Sequence, residues 1–219
     1  MKSDEVAQYL HDHPQFFEEH ADLTARLVIP HPHSGRAISI TERQMLALRD
    51  KNRQLESKLA ELMQFGEEND VIGEKMHRLG VAIIAAASFQ SVIHTLNFHL
   101  RDDFAVPFFA LRLWQRPAGS GELPEFAGVS EQLQSFAETL SPPYCGPTSG
   151  FETASWFGDA AAHVRSQGLI PLRNAGGTIG MLALGSEDAQ RFYSGMGTLY
   201  LERLGEMASA ALARVLSLN

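Results

Sequence analysis

The sequence predicts an α+β protein in which helices flank an antiparallel β-sheet, preceded by an N-terminal helical arm and a long coiled-coil helix. Three observations lead there. Two strand-like runs, GLIPLR and TIGMLALGS, meet at a glycine-rich turn near the C-terminus. An aromatic and branched run, VPFFALRLW, spans Val106 to Trp114. An apolar seam with alternating three- and four-residue spacing begins at Met45.

A chain of 219 residues accommodates one well-buried domain and an appendage. No apolar run approaches the roughly 18 to 20 residues needed to cross a bilayer, so no membrane partner is expected. The opening MKSDEVAQYL carries acidic residues where an export signal carries basic ones, which points to the cytoplasm. Cys145 is the sole cysteine and excludes an internal disulfide or a multi-cysteine metal site. A net charge of -8 argues against nucleic-acid binding through the overall field. The local cations Lys51, Arg53, Lys58, Lys75 and Arg78 alternate with Glu56, Glu61, Glu67, Glu68 and Glu74, the pattern of a solvated helix face.

From about Ser3 to Ala25 the chain reads as short helices, with Ser3 and Asp4 placed to cap the first turn and Pro14 forcing a break. The two prolines and glycine of IPHPHSGR make an extended connector. Residues 1–40 therefore form an arm and connector. A helix starting at Thr41 follows, with seam positions Met45, Leu48, Asn52, Leu55, Leu59 and Leu62. A polar Asn52 on such a seam fixes register in coiled coils. The pattern is read as an intermolecular pair of helices, the alternative being an amphipathic helix lying on its own domain. After Leu62 a three-residue step leads to Phe65, Asn69, Ile72, Met76, Leu79 and Ile83, a stammer that overwinds a coiled coil. Gly66, Gly73 and Gly80 weaken this helix or permit close packing along it. Residues 41–80 are taken as a coiled-coil signalling helix and 81–219 as the sheet-bearing domain.

Within that domain the apolar helix after Val81 breaks around Ser88 to Ser91, the strand VPFFALRLW follows, and RPAGSGELP is a loop. EFAGV is expected as a short second strand, Ser130 as the cap of a helix through Leu140, and Ser141 to Ala160 as loops holding one or two short strands. The hairpin turns at Asn174 to Gly177. Asp188 is expected to open the terminal helix, with Leu199, Leu204, Met207, Ala211 and Val215 on its apolar face.

The order long helix, strand, helix, mixed loops, hairpin and closing helix resembles a GAF domain. The run SQGLIPLRNAGGTIGMLALGSEDAQRF carries the likeness, with Pro171 in one strand, Gly180 in the next and Phe192 leading to the last helix. The arm YLHDHPQFFEEHADL, the link IPHPHSGRAISITERQMLALRDKNRQLE and RFYSGMGTLYLERL together resemble the bacterial family of unknown function DUF484. That resemblance implies a GAF-like, profilin-like sheet with helices on one face and a small-molecule pocket on the other, closed by the irregular middle region. It implies a regulatory rather than catalytic protein. The chain lacks the Asn-Lys-Phe-Asp-Glu signature of cyclic-nucleotide-binding GAF domains and the cysteine set of GAF-like methionine sulfoxide reductases, so neither activity is expected.

Period-two alternation puts Phe108, Ala110, Arg112 and Trp114 on one strand face and Phe109, Leu111 and Leu113 on the other. Arg112 there either pairs with an anionic ligand beside a stacking Trp114, or snorkels to solvent or an internal carboxylate. Phe151, Trp156 and Phe157 line the same cavity or close the core, and His163 falls in the expected lid. Cys145, in PPYCGP, lacks a neighbouring cation or histidine to activate it and reads as a loop or pocket residue. His11, His13 and His20 with Glu18, and His31 with His33, have spacings poorly suited to one metal. The glycine turns GSGE and NAGGTIG do not lead from strand to helix and are not phosphate loops. The sequence thus suggests a non-catalytic homodimeric module with a small-molecule ligand, and it identifies no cofactor. The alternative is a ligand-free scaffold that meets a protein partner through its arm and coiled coil.

Overall fold

A computed structural model of the chain describes residues 2–26, 28–30, 37–115 and 122–217. His31 and His33, and most of the GSGE turn, lie outside them. Two compact units emerge, Met1–Glu68 and Asn69–Asn219, so the sheet-bearing unit takes in helix turns upstream of residue 81.

In the first unit, helices α1 (Ser3–Asp12), α2 (Phe16–Glu19) and α3 (Ala21–Arg26) follow one another, with α1 ending just before Pro14. Lys2, rather than Ser3, is the N-cap, and its backbone N–H donates to the Glu5 carboxylate at 2.9 Å. The residues expected as a connector include a small ladder in which β1 (Val28–Pro30) pairs antiparallel with β2 (Ala37–Ser39).

Helix α4 (Ile40–Ala85) then runs unbroken for 46 residues, out of the first unit and into the second. Its two halves use their apolar residues differently. Met45, Leu48, Leu55, Leu59, Leu62 and Phe65 are exposed, Leu48 to 67%. Met76, Leu79 and Ile83 are buried, Leu79 completely. The three-residue step at Leu62 to Phe65 falls between the two halves. It moves one column of large side chains one residue earlier in the heptad frame, about 100° around the helix. Ile72 and Leu79 belong to the moved column, Met76 and Ile83 continue the column of Leu62, and all four pack in or against the core of their own domain.

In the second unit α5 (Phe89–Asp102) begins at the expected break: Ser88 is its N-cap, and its Oγ accepts from the Ser91 backbone N–H at 3.2 Å. Strand β3 (Phe108–Leu113), helix α6 (Glu131–Thr139), strands β4 (Tyr144–Pro147), β5 (Ser166–Asn174) and β6 (Gly177–Ser186), and helix α7 (Leu199–Leu216) complete it. The sheet has the order β3-β6-β5-β4, antiparallel throughout. Leu111, Leu113, Ile170, Leu172, Leu182 and Leu184 pack into one cluster with α4, α5 and α7. Ala110, Leu169, Met181 and Ala183 pack into a second cluster with α6.

Two expectations in this unit are corrected, and that of one or two short strands in the middle region is met. EFAGV contains a 3-10 turn, Pro124–Phe126, not a strand: Pro124 has no N–H to give a ladder and starts the turn instead. The middle region holds one strand, β4, followed by a 3-10 segment, Glu152–Ala162, kinked at Gly158 (φ 58). The last helix starts at Leu199 rather than Asp188. Asp188 closes local turns, receiving Gln190 N–H at 2.8 Å, and Gly195 (φ 90) interrupts the chain before the helix begins. Leu199 is consequently exposed, whereas Leu204, Ala208, Ala211 and Leu212 are buried.

Arginine side chains finish two helices. Arg173 Nη2 donates to the carbonyls of Ala137 and Leu140 at 2.9 and 2.8 Å, ending α6. Arg214 Nη2 donates to Ala86 O at 2.7 Å and Ile83 O at 3.2 Å, ending α4.

Gly180 in β6 faces β3 with no room for a side chain, because a Cβ would strike the Arg112 carbonyl oxygen and Leu113. Gly180→Ala is expected to destabilise the domain by about 2 kcal/mol. Denaturant unfolding followed by tryptophan fluorescence reads this directly, because both tryptophans, Trp114 and Trp156, belong to the second unit. An unchanged midpoint would contradict the packing.

Candidate ligand site beneath the middle region

The face of β3 that carries Ala110 is covered by the segment between β4 and β5 and by α6. Ser130 starts α6 by accepting Leu133 N–H at 3.2 Å, and its own N–H donates to Glu152 at 3.1 Å, tying the helix to the 3-10 segment. The covering residues are largely aromatic. Phe108 meets Phe157 at 6.4 Å between ring centroids, Tyr144 meets Phe151 at 4.8 Å, and Phe151 meets Phe136 at 5.7 Å.

Arg112 lies on this face. Its guanidinium carbon stands 5.1 Å from the centre of the Trp156 ring, and Nη1 donates to Leu111 O at 2.8 Å. Burial lowers its pKa from the usual value, and the nearby charge of Glu125 opposes that shift. The structure thus groups Phe108, Arg112, Trp114, Phe151 and Trp156 on the covered side of the sheet.

It does not place Cys145 or His163 with them. Cys145 is buried in β4 opposite Gly168 and packs with the cluster on the other face. Desolvation pushes its thiol up to about 11. His163 is exposed at the C-terminal end of the 3-10 segment.

Gln167, which the sequence reading passed over, belongs to the covered face. It is fully buried, and Thr153 Oγ1 donates to its Oε1 at 2.7 Å while the amide nitrogen has no partner. Whichever way the amide is turned, one of its polar atoms is left over. Among the described residues, neither that amide nitrogen nor the Trp114 indole N–H, a second buried donor, has a partner. Such groups cost about 1–3 kcal/mol each, so this face is not a fully satisfied core. The sequence signal was a glutamine at the head of an otherwise apolar strand, two residues before Leu169 and on the same face.

His13 packs at a tilt against Tyr9, 4.6 Å between ring centroids, and His20 likewise against Phe16 at 4.7 Å. Among the described residues no three histidine, cysteine, aspartate or glutamate side chains come together as a metal site. In the NAGGTIG turn the Gly176 N–H donates to Asn174 Oδ1 at 2.9 Å, closing a hairpin turn.

A helix-backed antiparallel sheet with an irregular cover defines a GAF-like domain. The crystal structure of the GAF domain from an Acinetobacter phosphoenolpyruvate-protein phosphotransferase matches with a TM-score of 0.50 and 16% identity, covering 67% of this chain and 95% of that one. This likeness concerns the fold alone. The chain belongs to the DUF484 family, described as "Protein of unknown function, DUF484", whose model matches residues 1–217. It is similar to the proteins named "Uncharacterized protein YigA" of Salmonella typhimurium LT2 and of Escherichia coli K12. Each is 26% identical over 216 residues, covering 95% of this chain and 90% of the relative. Among the described residues no helix is long and apolar enough to cross a membrane.

The state of Cys145 gives a direct check. At pH 8 a thiol titrating near 11 is ionised in about one molecule in a thousand, and burial limits access further. A thiol-specific disulfide reagent should label the native protein far more slowly than the protein unfolded in guanidinium. Equal rates would show that β4 does not hold Cys145 inside.

Proposed function

We propose that this protein is a non-catalytic regulatory module of the cytoplasm that acts as a homodimer through α4 and responds to a small ligand in its GAF-like domain. The observation that carries the reading is the division of labour along α4. Its exposed half presents Met45, Leu48, Leu55, Leu59 and Leu62 at heptad spacing around Asn52, while its other half is core of the sheet-bearing unit. A row of large apolar side chains left in water on one stripe of a helix is the usual mark of an interaction surface. The spacing suits a second copy of the same helix.

The glycines agree with this. Leu59, Gly66, Gly73 and Gly80 recur every seven residues, so the glycines continue one column of the exposed seam after the stammer. Nothing lies within 4 Å of where a Cβ would stand on Gly66 or Gly73. Their own chain gives no steric reason for a residue that weakens a helix by about 1 kcal/mol relative to alanine. Close approach of a second helix supplies one.

The ligand part of the reading is supported by Arg112 on an aromatic face and by the unpartnered donors of Gln167 and Trp114. A second reading, a ligand-free scaffold, is favoured by the tight aromatic cover over that same face. The two part on whether any small molecule stabilises the folded domain.

Size-exclusion chromatography with light scattering should give twice the chain mass at tens of micromolar. Leu55→Asp, which puts a charge on the seam without touching the domain core, should weaken association by at least about tenfold. A monomer in the unsubstituted protein, or a dimer indifferent to Leu55→Asp, would overturn the proposal.

A further inference from the structure

We propose that a cleft of about 580 Å³ on the helix side of the sheet, away from the aromatic face just described, binds a small amphipathic carboxylate with its apolar tail inward. The volume is in the range of small-molecule sites. One turn of α4, the end of α5, the loop before β3 and the start of α7 supply its walls.

The interior is apolar. Leu100, Val106, Leu184, Phe192 and Leu204 are buried along it, and Met76 and Met196 add side chains that adapt to a tail's shape. The charges collect at one place, around Phe104. Lys75 Nζ stands 6.0 Å over the Phe104 ring, and an Arg191 nitrogen donates to the Phe104 carbonyl. The next residue, Ala105, holds φ 52, a left-handed conformation that non-glycine residues adopt at a cost of about 1–2 kcal/mol. Val106 N–H then returns to Leu100 O at 2.8 Å, so the chain turns sharply beneath the two cations.

The carboxylate among the lining residues is already engaged. The His99 ring bonds Asp103 at 2.6 Å and Arg78 lies 3.3 Å from its other oxygen; the His99 bond, followed by Arg78, holds the carboxyl below its ordinary pKa against the opposing effect of burial. Among the described residues neither Lys75 nor Arg191 has a carboxylate within ion-pair distance. Two cations at the same residue beside an apolar cleft complement one negative head on an apolar body. A cationic amphiphile would meet like charge at that end, and a neutral one would leave the cations unused.

The cleft touches the regulatory helix directly. Ile72, Lys75 and Met76 share one side of α4, and Tyr200 Oη donates to the Asn69 carbonyl of the same helix at 2.9 Å. This inference rests on the regulatory reading only for its output; occupancy is measured without reference to the oligomeric state, so either can fail alone.

The test is titration calorimetry on the full chain with decanoate, decanol and decyltrimethylammonium as probes. Decanoate is expected to bind one per chain, at least about tenfold more tightly than the other two. Lys75→Glu, at a partly exposed position, should remove most of that preference while leaving decanol binding unchanged. Gly197→Phe, which grows a ring from a lining position with open space around it, should block all three probes. Circular dichroism melts of both variants establish that they fold. The proposal is overturned if decanoate fails to bind up to about 1 mM. Equal binding of the cationic probe, or an unchanged decanoate preference in folded Lys75→Glu, overturns it as well.

Discussion

The burial of Met76, Leu79 and Ile83 against the sheet makes the last turns of α4 part of the sheet-bearing unit. These residues belong to the same cluster as Leu111, Leu113, Ile170, Leu172, Leu182 and Leu184. Full burial of a side chain such as Leu79 is worth about 1.5–3 kcal/mol, and three of them on one stripe hold the helix face-on to the core. Arg214 then closes the end of α4 from α7. A regular helix advances about 100° per residue, so burying one stripe fixes the direction of the other side chains on those same turns. The step between Leu62 and Phe65 moves one of the two columns, so that Ile72 and Leu79 take over from Gly73 and Gly80 in facing the core, while Met76 and Ile83 continue the column of Leu48, Leu55 and Leu62.

The two faces of the sheet are built to different standards. On the side of α4, α5 and α7 the interior is close to purely apolar, and it extends outward into the cleft where Lys75 and Arg191 converge on Phe104. On the other side aromatic rings from the middle region cover Arg112, Gln167 and Trp114, whose polar atoms are incompletely matched. One face has its polar groups outside an apolar hollow, and the other has them inside an aromatic cover. A change at the first would be felt at once by α4, because α4 is one wall of it. A change at the second would reach α4 only across the sheet, through strands whose opposite side chains pack on that helix.

What could be read in the sequence was what depends on local period. The hairpin, the alternation that puts Arg112 opposite Leu111 and Leu113, and the seam follow periods of two or about 3.6 residues, and the break at Ser88 and the cap at Ser130 are equally local, so each is visible without knowing its neighbours. The owner of the apolar stripe on α4 was not legible, since a helix facing its own sheet and a helix facing a partner demand the same spacing. Cys145 looked like a loop residue because its burial comes from pairing with Gly168, twenty-three positions away. EFAGV suggested a strand until Pro124 directed it into a 3-10 turn, and Gly195 delayed the last helix past the cap that Asp188 seemed to offer. The cleft was hidden altogether, since its walls come from four separated segments, none unusual by itself.

The most direct test of the central claim is oxidative cross-linking at the seam in a Cys145→Ala background. Leu55→Cys lies on the exposed column, whereas Arg53→Cys lies two residues earlier on another side of the helix. The account predicts rapid formation of a disulfide-linked dimer from Leu55→Cys and little from Arg53→Cys. Equal yields from the two positions, or none from Leu55→Cys, would contradict a dimer formed through this face of α4.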